Sequence, residues 1–221
     1  MALAIFDLDN TLLAGDSDHR WGEFLCEAGL VDPTDYRQSN DAFYAQYEAG
    51  SLDMVAYLSF VLAPLAGMPV SEVRLLQDRF LRECVEPMLL NKAFDLIDQH
   101  RVAGDTLLLM TATHSVVADP VANRLGFEHW LCSGVEIVDG VYTGKTAGSP
   151  CFKEGKVAHL EDWRLSRTDP PALQDCWFYS DSHNDLPLLS AVGHPVAVNP
   201  DATLLQTAIA LDWTVISLRD D

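Results

Sequence analysis

The apolar positions of this chain fall into two regimes. Residues 2–8 form a nearly unbroken apolar or small run, as a strand covered on both faces requires. From residue 17 to about 86 the spacing changes. HRWGEFLCEAGL, DAFYAQYEAG, MVAYLSFVLAPL and SEVRLLQDRFLREC each repeat apolar residues at helical intervals, with Gly50, Pro64, Gly67 and Pro69 as punctuation. This predicts a helical block of roughly 70 residues, an ordinary size for a small domain.

Beyond it, strand and helix patterns alternate. KAFDLIDQHRVAG predicts a helix ending on Gly104, DTLLLMT a strand, and VADPVANRLGF a helix. HWLCSGVEIVDGVYTG predicts a strand and then a hairpin turning at Asp139-Gly140. KEGKVAHLEDWRL is a helix, DCWFYSD a strand, NDLPLLSAV a helix and HPVAVN a strand, with DATLLQTAIAL and WTVISL to finish. Such alternation implies an α/β fold, a parallel sheet with crossover helices. Ligands of these sheets sit at the carboxyl ends of the strands.

Those ends carry the chemistry. The first strand runs into Asp7-Leu8-Asp9-Asn10-Thr11, the second into Thr111-Ala112-Thr113, and a later one into Asp181-Ser182-His183-Asn184-Asp185. The helix before that later strand opens with Lys153 and Lys156. A parallel sheet would gather these groups along one edge. Crowded carboxylates repel and raise one another's pKa, and a hard dication relieves them. Mg²⁺ takes one or two protein carboxylates and fills its octahedron with water and phosphate oxygens. Lysine and threonine then have the same phosphate as partner, which makes phosphoryl transfer the natural reaction class. One aspartate of the D-x-D pair can attack phosphorus. The other can give a proton to the leaving oxygen and take one from water.

Composition narrows the partners. The 221 residues carry a net charge of −19 and only four lysines, which argues against a nucleic-acid partner. Apolar residues make up 48% of the chain, enough for a proper core. The five cysteines lie at 26, 84, 132, 151 and 176, with no C-x-x-C pair, and fit reduced thiols. No leader pattern and no apolar run of membrane-spanning length is read, so a soluble cytoplasmic protein is expected, without a membrane partner. The sequence does not give an oligomeric state.

The D-L-D-N-T, the threonine after the second strand, the lysine before the later strand and the D-S-x-x-D after it resemble the four motifs of the haloacid dehalogenase superfamily of phosphatases. The resemblance covers essentially the whole chain. It implies a Rossmann-like core over 1–15 and 87–221, with a helical cap over 16–86 inserted after the first strand, similar to the phosphoserine phosphatase-like branch. EIVDGVYTG and PVAVNPDATL also look like that branch. The resemblance implies Asp7 as nucleophile and Mg²⁺ ligand, and Asp9 as general acid/base whose backbone carbonyl meets the metal. It implies Thr111 and Lys156 on the phosphoryl group, Asp181 and Asp185 at the metal, and Asn184 and Thr113 on the substrate side. Lys153 competes with Lys156, but Val157 and Leu160 after Lys156 match the family's K-V-x-x-L pattern.

Plainer roles exist beside these. Asp16, where the branch carries an acidic residue for a substrate amino group, also suits a helix N-cap together with Ser17. His114 and His183 suit solvated or satisfied histidines, and Arg124 suits a helix face. The stretch from 38 to 73 contains no Lys or Arg. The branch's phosphoserine enzymes use a cap arginine for the substrate carboxylate, and Val61 stands about where it would be. A buried carboxylate without a cation is strongly disfavoured. A small phosphomonoester with an amine and no carboxylate is therefore expected. L-histidinol phosphate leads because some bacterial histidinol-phosphatases resemble this branch; phosphocholine and phosphoethanolamine stay open. Asp16, Asp18, Glu48, Trp21, Phe24, Tyr44 and Tyr47 are candidates to receive a cation and a ring.

Overall fold

The computed structural model describes residues 2–219; the outermost residues of the expected core, 1, 220 and 221, lie outside them. Seven strands form one sheet: β1 (Leu3–Phe6), β2 (Thr106–His114), β3 (His129–Val138), β4 (Val141–Ala147), β5 (Cys176–Ser180), β6 (His194–Val198) and β7 (Thr214–Ile216). Their order is β4-β3-β2-β1-β5-β6-β7. All neighbours are parallel except β3 and β4. Ile5 sits opposite Leu108 on one side and Phe178 on the other, so β1 is central.

Both faces of β1 are covered, which explains its apolar run. Leu3 and Ile5 pack with Leu160, Leu188 and Leu204. Ala4 and Phe6 pack on the opposite face with Ile97, Val117 and Val121. This is the period-2 alternation of a strand buried twice. The first face is covered by α7 (Glu154–Leu165), α8 (Leu186–Leu189) and α9 (Ala202–Ala210). The second is covered by α5 (Asn91–Ala103) and α6 (Ser115–Leu125).

Between β1 and α5 lie α1 (Ser17–Glu27), α2 (Pro33–Glu48), α3 (Met54–Leu62) and α4 (Val70–Phe80). Aspartates start three of them: Asp16, Asp32 and Asp53 each accept a backbone N–H of the first turn, satisfying donors the helix cannot. Trp21, Phe24 and Phe80 pack together with ring centroids 5.0 to 5.4 Å apart. These helices share one apolar cluster with the second face of the sheet. Among the described residues, no helix is long and apolar enough to cross a membrane.

Some boundaries differ from the sequence reading. The strand expected over 105–111 runs on to His114, with a register shift against β3 between Met110 and His114. The following helix starts at Ser115, so Pro120 lies inside it. Proline lacks the N–H that Val116 O would accept, and Gln77 Nε2 from α4 supplies a donor at 2.7 Å instead. The hairpin turns where expected, with both Asp139 (φ 51°) and Gly140 (φ 77°) left-handed, as a two-residue turn between twisted strands requires. Val61 is fully buried in the apolar cluster. It does not line the cleft.

Candidate active site

The chain leaves β1 through a tight turn. Asp7 N still donates to Tyr179 O on β5 at 2.9 Å, so Asp7 is held at the strand's end. The backbone then reverses at Asn10 (φ 56°), a conformation asparagine tolerates better than most. Thr11 thereby points back into the sheet edge. Its Oγ1 lies 3.4 Å from Asp7 Oδ2 and 3.0 Å from Asp181 Oδ1, and accepts Asp181 N at 3.0 Å. Thr11 is a site residue the sequence reading left without a role. Its place in D-L-D-N-T was the available signal.

Lys156, in the first turn of α7 and only 2% exposed, reaches Asp7 Oδ1 at 2.8 Å and Asp185 Oδ2 at 2.7 Å. The two carboxylates hold its ammonium well above the usual lysine range despite burial. Lys153 goes elsewhere: its Nζ donates to Gly50 O at 2.7 Å. Ser180 also donates to Asp185 Oδ2, at 2.7 Å. Asp185 therefore has one oxygen fully engaged in holding Lys156.

Asp9 turns the other way, towards the helical layer. Oδ1 accepts Ser17 N at 2.6 Å and Oδ2 accepts Thr113 Oγ1 at 2.6 Å. The hydroxyl expected on the substrate side is thus committed to Asp9. Thr111, buried on the same strand, accepts Thr113 N at 3.2 Å and lines the cleft. Asn184 Nδ2 donates to Tyr47 O at 3.1 Å and Ser182 Oγ at 3.2 Å. Asp16 does cap α1, accepting His19 N at 2.7 Å, and lines the cleft as well. Both roles read for it coexist.

These groups open on a cleft between the strand ends and the helical layer. Its floor is Asp7, Asp9, Thr111, Thr113, Lys156, Asn184 and Asp185; its other end holds Asp16, Asp18, Asn40, Tyr44, Tyr47 and Tyr57. Of the aromatics expected there, Tyr44 and Tyr47 line it, whereas Trp21 and Phe24 are core. Glu48 is exposed and outside it. His183 is paired with Asp201 at 2.8 Å. Arg124 pairs with Glu86 at 3.1 Å and lies outside the lining.

Burial dominates the electrostatics. It raises Asp7 to about 7 against the pull of Lys156, and Asp9 to about 7 with the help of Asp16. Asp16 also rises to about 7, through burial and then Asp18. Asp181 is pushed well above the carboxylate range by burial and then by Asp7. Asp7 and Asp181, bridged by Thr11, thus form a carboxylate pair short of positive charge, which fits a divalent cation. Among the described residues, no three His, Cys, Asp or Glu side chains form a ready-made metal cage. Asp7, Asp181 and the carbonyl of Asp9 would be the protein's donors.

A family model described as haloacid dehalogenase-like hydrolase matches residues 4–190; the chain belongs to that family. It is a phosphatase within it: a histidinol-phosphatase of Neisseria meningitidis is 40% identical over 219 residues, covering 98% of this chain and 99% of its own. A phosphoserine phosphatase of Mycobacterium tuberculosis is 33% identical, covering 99% of this chain and 71% of its own. A crystal structure from Bordetella pertussis, of a protein of unknown function, superposes with TM-score 0.91 at 40% identity, covering 98% of each chain. A phospho-aspartyl intermediate analogue of phosphoserine phosphatase shares the fold, with TM-score 0.72 at 16% identity, covering 100% of this chain and 94% of that one.

Proposed function

We propose that the protein is a Mg²⁺-dependent phosphomonoesterase that hydrolyses a small amino-alcohol phosphate, L-histidinol phosphate foremost, through a phosphorylated Asp7. The observation that carries the reaction is the Lys156 bridge between Asp7 and Asp185 beside an Asp9 whose carboxyl titrates near neutrality. The helices over 16–86 act as a cap that shields this chemistry from water.

Lys156 and Thr11 hold Asp7 so that one oxygen faces the phosphorus. That oxygen attacks, the P–O bond to the alcohol breaks, and the protonated Asp9 gives its proton to the leaving oxygen. Asp9, now a carboxylate, takes a proton from water as that water attacks the acyl phosphate. The P–O bond to Asp7 breaks, and phosphate and both carboxyl groups are restored. Thr111 and Lys156 contact the phosphoryl oxygens, and Asn184 lines the substrate side. Asp7, Asp181 and the Asp9 carbonyl would hold Mg²⁺, which would supply charge to draw in and polarise the phosphate.

The substrate class rests on the cleft's charge. Five carboxylates line it, and Lys156, the one lysine among them, is already engaged. No arginine lines it. A leaving group that carries a carboxylate would meet repulsion, and a purely cationic one attraction. The relative named histidinol-phosphatase supports the same substrate.

Phosphate release is measured with Mg²⁺ and with EDTA on L-histidinol phosphate, phosphoserine, phosphocholine, phosphoethanolamine and a sugar phosphate. Metal-dependent release favouring L-histidinol phosphate is expected. A preference for phosphoserine would overturn the charge argument and leave the reaction standing. Release insensitive to EDTA would overturn the metal.

A further inference from the structure

We propose that Asp18, backed by His114, is the carboxylate that sets specificity, and that it receives a second N–H donor of the leaving group, a ring nitrogen, separate from the ammonium received by Asp16. This rests on the reading of the cleft as a site for a cationic phosphomonoester.

Asp16 and Asp18 stand two residues apart at the start of α1. Positions so spaced do not face each other on a helix, so they meet a bound molecule at different points. Asp16 spends one oxygen on its cap. Asp18 is turned inward, 7% exposed, and still lines the cleft. Its Oδ1 lies 3.1 Å from Nε2 of His114, a fully buried residue at the end of β2. The contact is not aligned as a hydrogen bond: Asp18 Oδ1 and both ring nitrogens of His114 lack a hydrogen-bond partner.

A second group deepens the shortage of donors. Asn40, 1% exposed, also lines the cleft. Its Nδ2 donates to His19 O at 2.8 Å, which fixes the amide's orientation and leaves Oδ1 as an acceptor without a partner. Buried acceptors with no donor are costly. The cleft's only histidine, His19, is already paired with Asp41 at 2.8 Å. A ligand that brings N–H donors would match these two acceptors. Phe43, Leu52 and Met54 give the cleft an apolar lining that suits a ring; the Tyr57 hydroxyl interacts with the Asp18 carboxylate but leaves its Oδ1 without a partner. A simple ammonium at Asp16 would leave Asp18 and Asn40 unmatched. An imidazolium carried on the same alcohol has two N–H donors, one for each.

Wild type, D18N and D16N are compared on L-histidinol phosphate and phosphoethanolamine, which shares the ammonium and lacks the ring. D18N is expected to lower the ratio of the two kcat/KM values at least tenfold, mainly by raising KM for the ring-bearing ester. D16N should lower both together. If D18N lowers both in parallel, Asp18 is only structural and the inference falls. If wild type cleaves p-nitrophenyl phosphate but neither amino ester, the substrate reading itself fails, and the inference with it. A measurement on wild type alone guards against a D18N protein that does not fold. L-histidinol should inhibit p-nitrophenyl phosphate turnover at least tenfold better than ethanolamine, and equal inhibition would overturn the ring subsite.

Discussion

Thr113 Oγ1, near the end of β2, donates to Asp9 Oδ2 on the loop after β1 at 2.6 Å. The bond joins two segments 104 residues apart and fixes the carboxyl proposed to move the proton. Removing it should misplace Asp9 without removing its chemistry. T113V is expected to lower kcat on an alkyl phosphate by about 10- to 100-fold, and T113S to keep most of it. Steady-state kinetics of the two variants decide this; loss in T113S with activity kept in T113V would point to a methyl-packing role.

Asp7 is raised to about 7 chiefly by burial, so its ionised form weighs on the metal-free fold at neutral pH and above. D7N should therefore leave the melting temperature without Mg²⁺ unchanged or higher, while turnover drops to less than about a thousandth. K156M is the opposite case. It strands Asp7 and Asp185 without their cation, and should cost about 3–5 kcal/mol in chemical denaturation.

In the proposed mechanism Asp9 is protonated when it releases an alcohol, and burial pushes its carboxyl up to about 7. The first-turnover burst of alcohol from L-histidinol phosphate should fall about tenfold per pH unit above that value. With p-nitrophenyl phosphate, whose leaving group needs no proton, the burst should stay flat. Parallel falls for both esters would place the titration on another group.

Gly50 closes the loop between α2 and α3 with φ 68°. Its carbonyl accepts Lys153 Nζ, and a Cβ there would meet His183 Nε2 at 2.6 Å. G50A should cost about 1–2 kcal/mol from the left-handed backbone alone. Because this loop seats the helical layer on the strand ends, KM should rise more than kcat falls. Thermal melts and kinetics on G50A test both.

Asp105 caps a buried chain of contacts far from the cleft. It accepts Ala2 N at 3.0 Å and pairs with His100 Nδ1 at 2.8 Å, whose Nε2 meets Tyr179 OH at 2.7 Å. Burial alone would raise its pKa, but the bonds from His100 and Ala2 outweigh it and hold it below 3.8. A lowered carboxyl stabilises above its unfolded pKa and loses that contribution as pH falls through the folded value. D105N should be less stable than wild type by about 1–3 kcal/mol at pH 7, and the gap should close below about pH 4. Urea titrations at several pH values measure it.

The chemistry at the strand ends was legible because it is local. D-L-D-N-T and D-S-x-x-D each supply several site groups from one turn, and any chain that makes β1 and β5 neighbours brings them together. The alternating pattern likewise implied the sheet, since a strand covered twice must be apolar throughout. What sequence could not decide is which of several equivalent side chains faces inward. Lys153 and Lys156 begin the same helix, yet one reaches Gly50 O and the other Asp7. Trp21 and Tyr44 are both aromatic residues of the helical block, yet only Tyr44 lines the cleft. Val61 was legible as apolar but not as core. Asp18 meets His114 only because α1 folds over the end of β2. The sequence alone determined which groups gather at the strand ends, through spacing along the chain. The tertiary structure alone decided the cleft's far wall, because that wall is made where separate helices pack, and packing is not periodic in sequence.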